Sequence, residues 1–147
     1  MATRSTIALE FADGTVQQIY SHWDGYLDHN GAILRDHYSD PFKLQRLIDG
    51  GAISSLAPSI DKPEGHSFDK SVEGYTVFYA RDRGEELHVN KFKDFQEYAR
   101  EHQREEYEYI LRQVNGKAQW YVSFYGTDDE YLTIEDAFEF QAAKEAA

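Results

Sequence analysis

Ser5-Thr6-Ile7-Ala8-Leu9-Glu10-Phe11, then Asp13-Gly14, then Thr15-Val16-Gln17-Gln18-Ile19-Tyr20-Ser21-His22-Trp23 is the stretch from which the rest of the chain is best read. Both flanks alternate in the two-residue rhythm of a strand, and Asp-Gly between them supplies the positive φ angles of a tight hairpin turn. The second flank runs into Asp24-Gly25-Tyr26. There Tyr26, Leu27, Asn30, Ile33, Leu34, His37 and Tyr38 recur at three- and four-residue steps, the spacing of one helix face, with Gly31 weakening the pattern.

Working outward, Asp40-Pro41 reads as an N-cap and first-turn proline for a short helix through Phe42, Leu44, Leu47 and Ile48, closed by Gly50-Gly51. Residues 57–74 carry Pro58, Pro63, Gly65 and Gly74 without periodicity and read as a long surface loop. Tyr75–Ala80 and Glu86–Phe92 read as a second hairpin around Arg81-Asp82-Arg83-Gly84-Glu85, followed by a helix with Phe95, Tyr98, Ala99 and His102 on one face. A third hairpin joins Glu106–Val114 to Lys117–Tyr125 through Asn115-Gly116, the strongest short turn signal in the chain. Thr133 and Asp136 resemble a capping box opening a C-terminal helix through Ile134, Ala137, Phe138 and Gln141. The expected fold is therefore α+β, one domain over residues 1–147. Its sheet is mainly antiparallel, built from three β-hairpins each followed by a helix, with the helices covering one face.

The 147 residues contain no cysteine, which excludes disulfides, thiolate metal sites and thiol nucleophiles. No run approaches the roughly 18 apolar residues of a membrane span, so no membrane partner and a cytoplasmic location are expected. Net charge is −12, and it is uneven: residues 1–60 hold 4 Lys and Arg against 7 Asp and Glu, residues 61–147 hold 11 against 20. Such a field repels polyanions, which argues against direct nucleic-acid binding and permits a basic protein partner or mimicry of DNA. It also serves simply to keep a small protein in solution.

Chemistry-bearing residues are few. His22 fits a general base oriented by Asp24, with Trp23 beside it and the 57–74 loop as a cover, which is the reading of a small-molecule binder or hydrolase. Equally, Asp24 serves as a helix cap, with Trp23 and Tyr26 stapling the junction. His22, His29 and His37 are spaced by seven and eight, which does not bring ligands together on a helix, so neither metal nor cofactor is expected. Asp128-Asp129-Glu130 lacks the alternation of a calcium loop and reads as a solvated acidic turn. On the helix after the second hairpin Glu97 and Glu101 stand four apart, a row that could imitate phosphates, interrupted by Arg100 and Arg104. The third hairpin is aromatic on both faces, so Tyr121 and Tyr125 are candidate contact residues along with Trp23 and Tyr26. No Gly-x-Ser-x-Gly elbow or Gly-rich phosphate loop occurs, and no catalytic set assembles.

The first 56 residues, with Arg4-Ser5-Thr6-Ile7-Ala8, Asp13-Gly14, His22-Trp23-Asp24-Gly25-Tyr26, His37-Tyr38 and Ile53-Ser54-Ser55-Leu56, resemble a family of small uncharacterised proteins of tailed bacteriophages and prophages. The resemblance implies a setting: a phage accessory protein in the host cytoplasm. It carries no catalytic residues to transfer. Together with the charge, it gives the expectation of a non-enzymatic binding protein or inhibitor acting on a host or defence protein, with a homo-oligomeric packaging role as a further alternative.

Overall fold

A computed structural model describes residues 2–124 and 130–146. The fold is α+β, an open eight-stranded sheet with five α-helices among the described residues. Its central strand is β1 (Ser5–Glu10), and burial explains why. Ser5, Thr6, Ile7 and Ala8 are fully buried and Leu9 nearly so. Because successive strand residues point to opposite faces, both faces of β1 must be covered.

β2 (Val16–Ser21) runs antiparallel to β1, with Ser5 opposite Ser21 and Glu10 opposite Val16. The turn between them follows the sequence reading: Gly14 has φ +91°, and the Asp13 carboxylate accepts the N–H and O–H of Thr15 at 2.9 and 2.7 Å. On the other side of β1 lies β6 (Tyr107–Val114), and it is parallel. β6 continues into antiparallel β7 (Lys117–Phe124) through Asn115 and Gly116 at φ +51° and +78°, and β8 (Leu132–Thr133) adds a short edge. The far side of β2 is shared by β3 (Ile53–Ser55), parallel at Ser21, and β5 (Asn90–Phe92), antiparallel along Val16–Gln18. β4 (Val77–Phe78) lies beyond β3, so the order is β4-β3-β2-β1-β6-β7-β8 with β5 also beside β2.

The sheet is thus mixed: five of the strand pairings among the described residues are antiparallel, and β1–β6 and β2–β3 are parallel. The second hairpin does not form. Tyr79–Arg83 is a helix, α3, because the Asp82 carboxylate accepts the Phe78 N–H at 2.8 Å and Gly84 closes the last turn at φ +76°. Arg81-Asp82-Arg83-Gly84 is therefore a basic last turn followed by a left-handed glycine, a helix ending and not a hairpin turn.

Two helices begin as expected. In α2 (Pro41–Asp49) Asp40 Oδ1 accepts the Phe42 N–H at 3.0 Å, and before Asp136 in α5 (Ile134–Ala146) Thr133 Oγ1 accepts its N–H at 3.2 Å. A nine-residue helix has little stability of its own. What holds α2 is complete burial of Leu44, Leu47 and Ile48, about 1.5–3 kcal/mol each. They join Ile7, Leu9, Ile19, Tyr109 and Leu111 in the main core, to which α5 adds Ile134 and Ala137. α4 (Phe95–Glu101) lies on the opposite face, where Tyr98 is packed with Ala8, Val16 and Ile110. Helices therefore cover both faces, not one.

The 57–74 segment is tied down more firmly than a surface loop. His66 is buried within it, with Nδ1 accepting the Val72 N–H at 3.0 Å and Nε2 3.3 Å from Asp82 Oδ2. Since Nδ1 accepts, Nε2 carries the hydrogen and donates it to Asp82. Arg81 grips the same carboxylate through Nε and Nη2 at 2.9 and 3.1 Å and reaches the Ile60 carbonyl at 2.6 Å. Burial opposes the Asp82 charge, yet the bonds from Arg81, Phe78 and His66 hold its carboxyl below the ordinary aspartate range.

Candidate functional site: an aromatic junction

Where β2 ends, the chain is fixed from several sides. The His22 and Trp23 N–H groups donate to the carbonyls of Ile53 and Ser54 at 3.1 and 3.0 Å, and the Gly25 N–H donates to Thr3 at 2.8 Å. Asp24 takes φ +57°, a left-handed conformation that aspartate tolerates better than most residues. A Cβ on Gly25 would lie 2.7 Å from Ser5 Cβ and 2.9 Å from the Thr3 carbonyl, so close approach demands glycine there. The buried Tyr109 hydroxyl donates to the Gly25 carbonyl at 2.6 Å. Burial is the largest cause holding the Tyr109 phenol well above its usual value, so it stays a donor.

Beyond the junction, the helix expected from Tyr26 is split. Leu27–Gly31 forms one wide π turn, with the Gly31 N–H reaching the Tyr26 carbonyl five residues back, and only then does α1 (Ala32–His37) begin. The wide turn delivers Asn30 to the interior. Its Nδ2 bridges the hydroxyls of Ser5 and Ser21 at 3.3 and 3.2 Å, while Oδ1 meets His29 Nδ1 at 2.9 Å. The facing serines of β1 and β2 thus find their partner in a single amide, which satisfies a buried polar group that would otherwise be costly.

What this frame holds out to solvent is aromatic. Trp23 is 44% exposed and Tyr26 39%. The Trp23 ring stands edge-on to His22 at 4.8 Å and the Tyr26 ring leans on His29 at 6.2 Å. His22 Nδ1 shares a hydrogen bond with the Tyr20 hydroxyl at 2.7 Å. Partial burial raises the Tyr20 phenol, a shift that Arg4 partly offsets, so it too remains protonated near neutrality.

Several sequence expectations change here. No hydrogen bond joins Asp24 to His22 among the described residues, so the expected base and its orienting carboxylate do not pair. Nor does Asp24 cap a helix: Tyr26 occupies the N-cap position and no side chain bonds there. The residue serves the turn. His29 is engaged by Asn30, and His37, spaced with Leu34 and Tyr38 on one helix face in the sequence, is exposed; among the described residues no group of three His, Asp or Glu could hold a metal ion. Tyr121 is partly buried against the second core, the cluster that holds Ala8 and Tyr98. Tyr125, Asp128 and Asp129 fall outside the described residues. Glu97 is half-buried and Glu101 is exposed, 3.8 Å from Arg100.

Aromatic residues of the third hairpin that reach the surface do so elsewhere. Tyr107 stacks on Phe124 at 5.3 Å, and with Phe140 of α5 they line a groove of about 290 Å³. Two buried ionisable clusters escaped sequence reasoning altogether, the His66–Asp82–Arg81 lock and a contact of 2.8 Å between His102 and Glu108. Only for the first is there a signal, the basic residues and glycine that end α3.

No helix among the described residues is long and apolar enough to cross a membrane. No known protein family, curated protein or solved structure matches this chain.

Proposed function

We propose that this protein is a non-enzymatic binding module, a phage accessory protein that docks on a basic segment of a host or defence protein and inhibits it. The observation that carries the reading is the pair Trp23 and Tyr26, exposed on a backbone that is hydrogen-bonded to β3, to Thr3 and to Tyr109. Aromatic side chains held rigidly lose little entropy on binding, and such residues dominate interface energies. The net charge of −12 supports a cationic partner by steering encounter. The phage setting rests on the resemblance of the first 56 residues, and DNA-like use of Glu97 and Glu101 is a finer version of the same idea.

The test pairs capture with substitution. Tagged protein is exposed to nuclease-treated bacterial lysate, and what elutes with rising salt is identified and purified. The purified partner should lose at least tenfold in affinity to the Trp23→Ala, Tyr26→Ala double variant, whose unfolding midpoint should stay near wild type because both side chains face solvent. Unchanged affinity in that folded variant would refute the aromatic surface. Loss only on Glu97→Lys with Glu101→Lys would move the interface to α4.

A further inference from the structure

Tyr107 opens β6 and Phe124 closes β7, opposite each other in register, so their side chains share one face of the sheet and the rings stack at 5.3 Å with 16° between their planes. Phe140 of α5 meets Phe124 at 5.9 Å and 72°. The three rings thus make two walls that meet steeply, and Gln141, Lys144 and Glu145 complete a groove of about 290 Å³. Helical spacing explains the set: Phe140 and Lys144, like Gln141 and Glu145, stand four apart and lie on one side of α5. Phe140 is 38% exposed and stands outside the main core, so core burial does not account for a phenylalanine there.

Aromatic faces carry negative potential and attract cations. The surroundings strengthen that potential. Glu145 lines the groove, and Tyr107 feels the charges of Glu106 and Asp28, which after burial raise its phenol. Gln141 Nε2 donates to Asp28 Oδ1 at 3.1 Å, which keeps its Oε1 available as an acceptor. The chain itself shows what such a place draws in: Lys144 holds Nζ over the Phe140 ring at 6.0 Å, the outer limit of the attraction.

We propose that this groove receives a lysine side chain from a basic partner segment, its methylene stem along the rings and its ammonium taking the place over Phe140 that Lys144 holds loosely. An ammonium has three N–H groups to satisfy, and the Tyr107 hydroxyl, Gln141 Oε1 and the Glu145 carboxylate are the acceptors in the lining. The stem covers apolar ring surface while the charged head stays at the rim, which is the usual way a long cationic side chain is bound. The net charge of −12 draws a cationic segment in and repels an anion that Lys144 alone would attract. The site uses other residues than Trp23 and Tyr26, and it stands or falls separately from them.

The experiment is an NMR titration of the whole chain with a capped pentapeptide carrying one lysine among glycines, and with the same peptide carrying norleucine, which keeps the stem and drops the charge. At millimolar concentration the lysine peptide should give saturable shifts of the Tyr107, Phe124 and Phe140 ring signals, and its ε-methylene signal should move upfield in the ring current. Norleucine should bind about fivefold more weakly or worse. Phe140→Leu keeps an apolar contact and removes the π face, so it should weaken lysine binding by a similar factor, whereas Lys144→Ala removes the competing ammonium and should bind the peptide at least as tightly. The Trp23→Ala, Tyr26→Ala double variant should bind it as wild type does. The proposal is overturned if the ring signals do not move, if norleucine binds as well as lysine, if benzoate titrated in the same way occupies the groove in preference, if a folded Phe140→Leu binds like wild type, if Lys144→Ala binds more weakly, or if the double variant loses the peptide. Should Phe140→Leu fail to fold, lysine against norleucine on the unaltered chain decides alone.

Discussion

Replacing Tyr109 by phenylalanine isolates one interaction at the base of the aromatic junction. The ring is wholly buried and keeps nearly its volume, so neither a cavity nor crowding follows. What changes is the hydroxyl that donates to the Gly25 carbonyl at 2.6 Å. A hydrogen bond of this kind contributes about 1 kcal/mol net, and stranding a buried acceptor raises the cost to about 1–3 kcal/mol. Taking about 2 kcal/mol, and an unfolding entropy of about 2.1 cal/mol/K per residue over the 147 residues, or roughly 0.3 kcal/mol/K, the Tm should fall by about 6 °C. Urea unfolding followed by circular dichroism checks this: the midpoint should drop with the slope unchanged. Tyr107→Phe is the control, since that ring stacks beside Tyr109 at 6.3 Å but is only half-buried, and it should cost under about 0.5 kcal/mol. If the two variants were equally stable, the carbonyl of Gly25 would not depend on Tyr109 and the account of a pinned junction would fail. In the stable range, Tyr109→Phe should also weaken partner binding, because Trp23 and Tyr26 are presented by the backbone on either side of Gly25.

The remaining expectations concern charge and light. Asp82 has a depressed carboxyl in the folded state, so its contribution is present above the ordinary aspartate range and is lost as pH falls below that range through the folded value. Acid should therefore loosen residues 57–76 by hydrogen exchange, and in Asp82→Asn that acid-dependent step should disappear; an identical acid profile in the two proteins would contradict the lock. Of the two tryptophans, Trp23 is 44% exposed and Trp120 only 2%. Acrylamide should quench the wild-type emission strongly and Trp23→Phe weakly, with a blue shift; equal quenching would place Trp23 inside.

Legibility followed range. Asn115-Gly116, Asp40-Pro41 and Thr133 with Asp136 act within four residues, and each does in the structure what its chemistry indicates. The second hairpin failed because alternation over Tyr75–Ala80 competes with a carboxylate at Asp82 whose partners, His66 and the Phe78 N–H, appear only once the chain is folded. The central place of β1 had a signal that alternation concealed: Ile7, Ala8 and Leu9 are consecutive apolar residues, the mark of a strand covered on both faces. At the site, Trp23 and Tyr26 stood in the sequence either as binding residues or as staples of the junction, and their exposure appears only in the fold; the surroundings of His22 and Asp24 likewise come from Tyr20 and the backbone conformation.

By itself, then, the sequence determined the Asp13-Gly14 and Asn115-Gly116 turns with their two hairpins, the starts of α2 and α5, an α+β composition and an acidic charge, all of which are local or additive properties. Tertiary structure decided the parallel pairing of β1 with β6, the covering of both sheet faces, the π turn that buries Asn30, and the partners of Asp82 and His102. The physical reason is that a turn residue selects its conformation from its own sterics, while a strand's neighbour and a buried charge's partner are chosen by which distant groups reach them. Thr6 meets Glu108 across most of the chain, and no local pattern encodes that meeting.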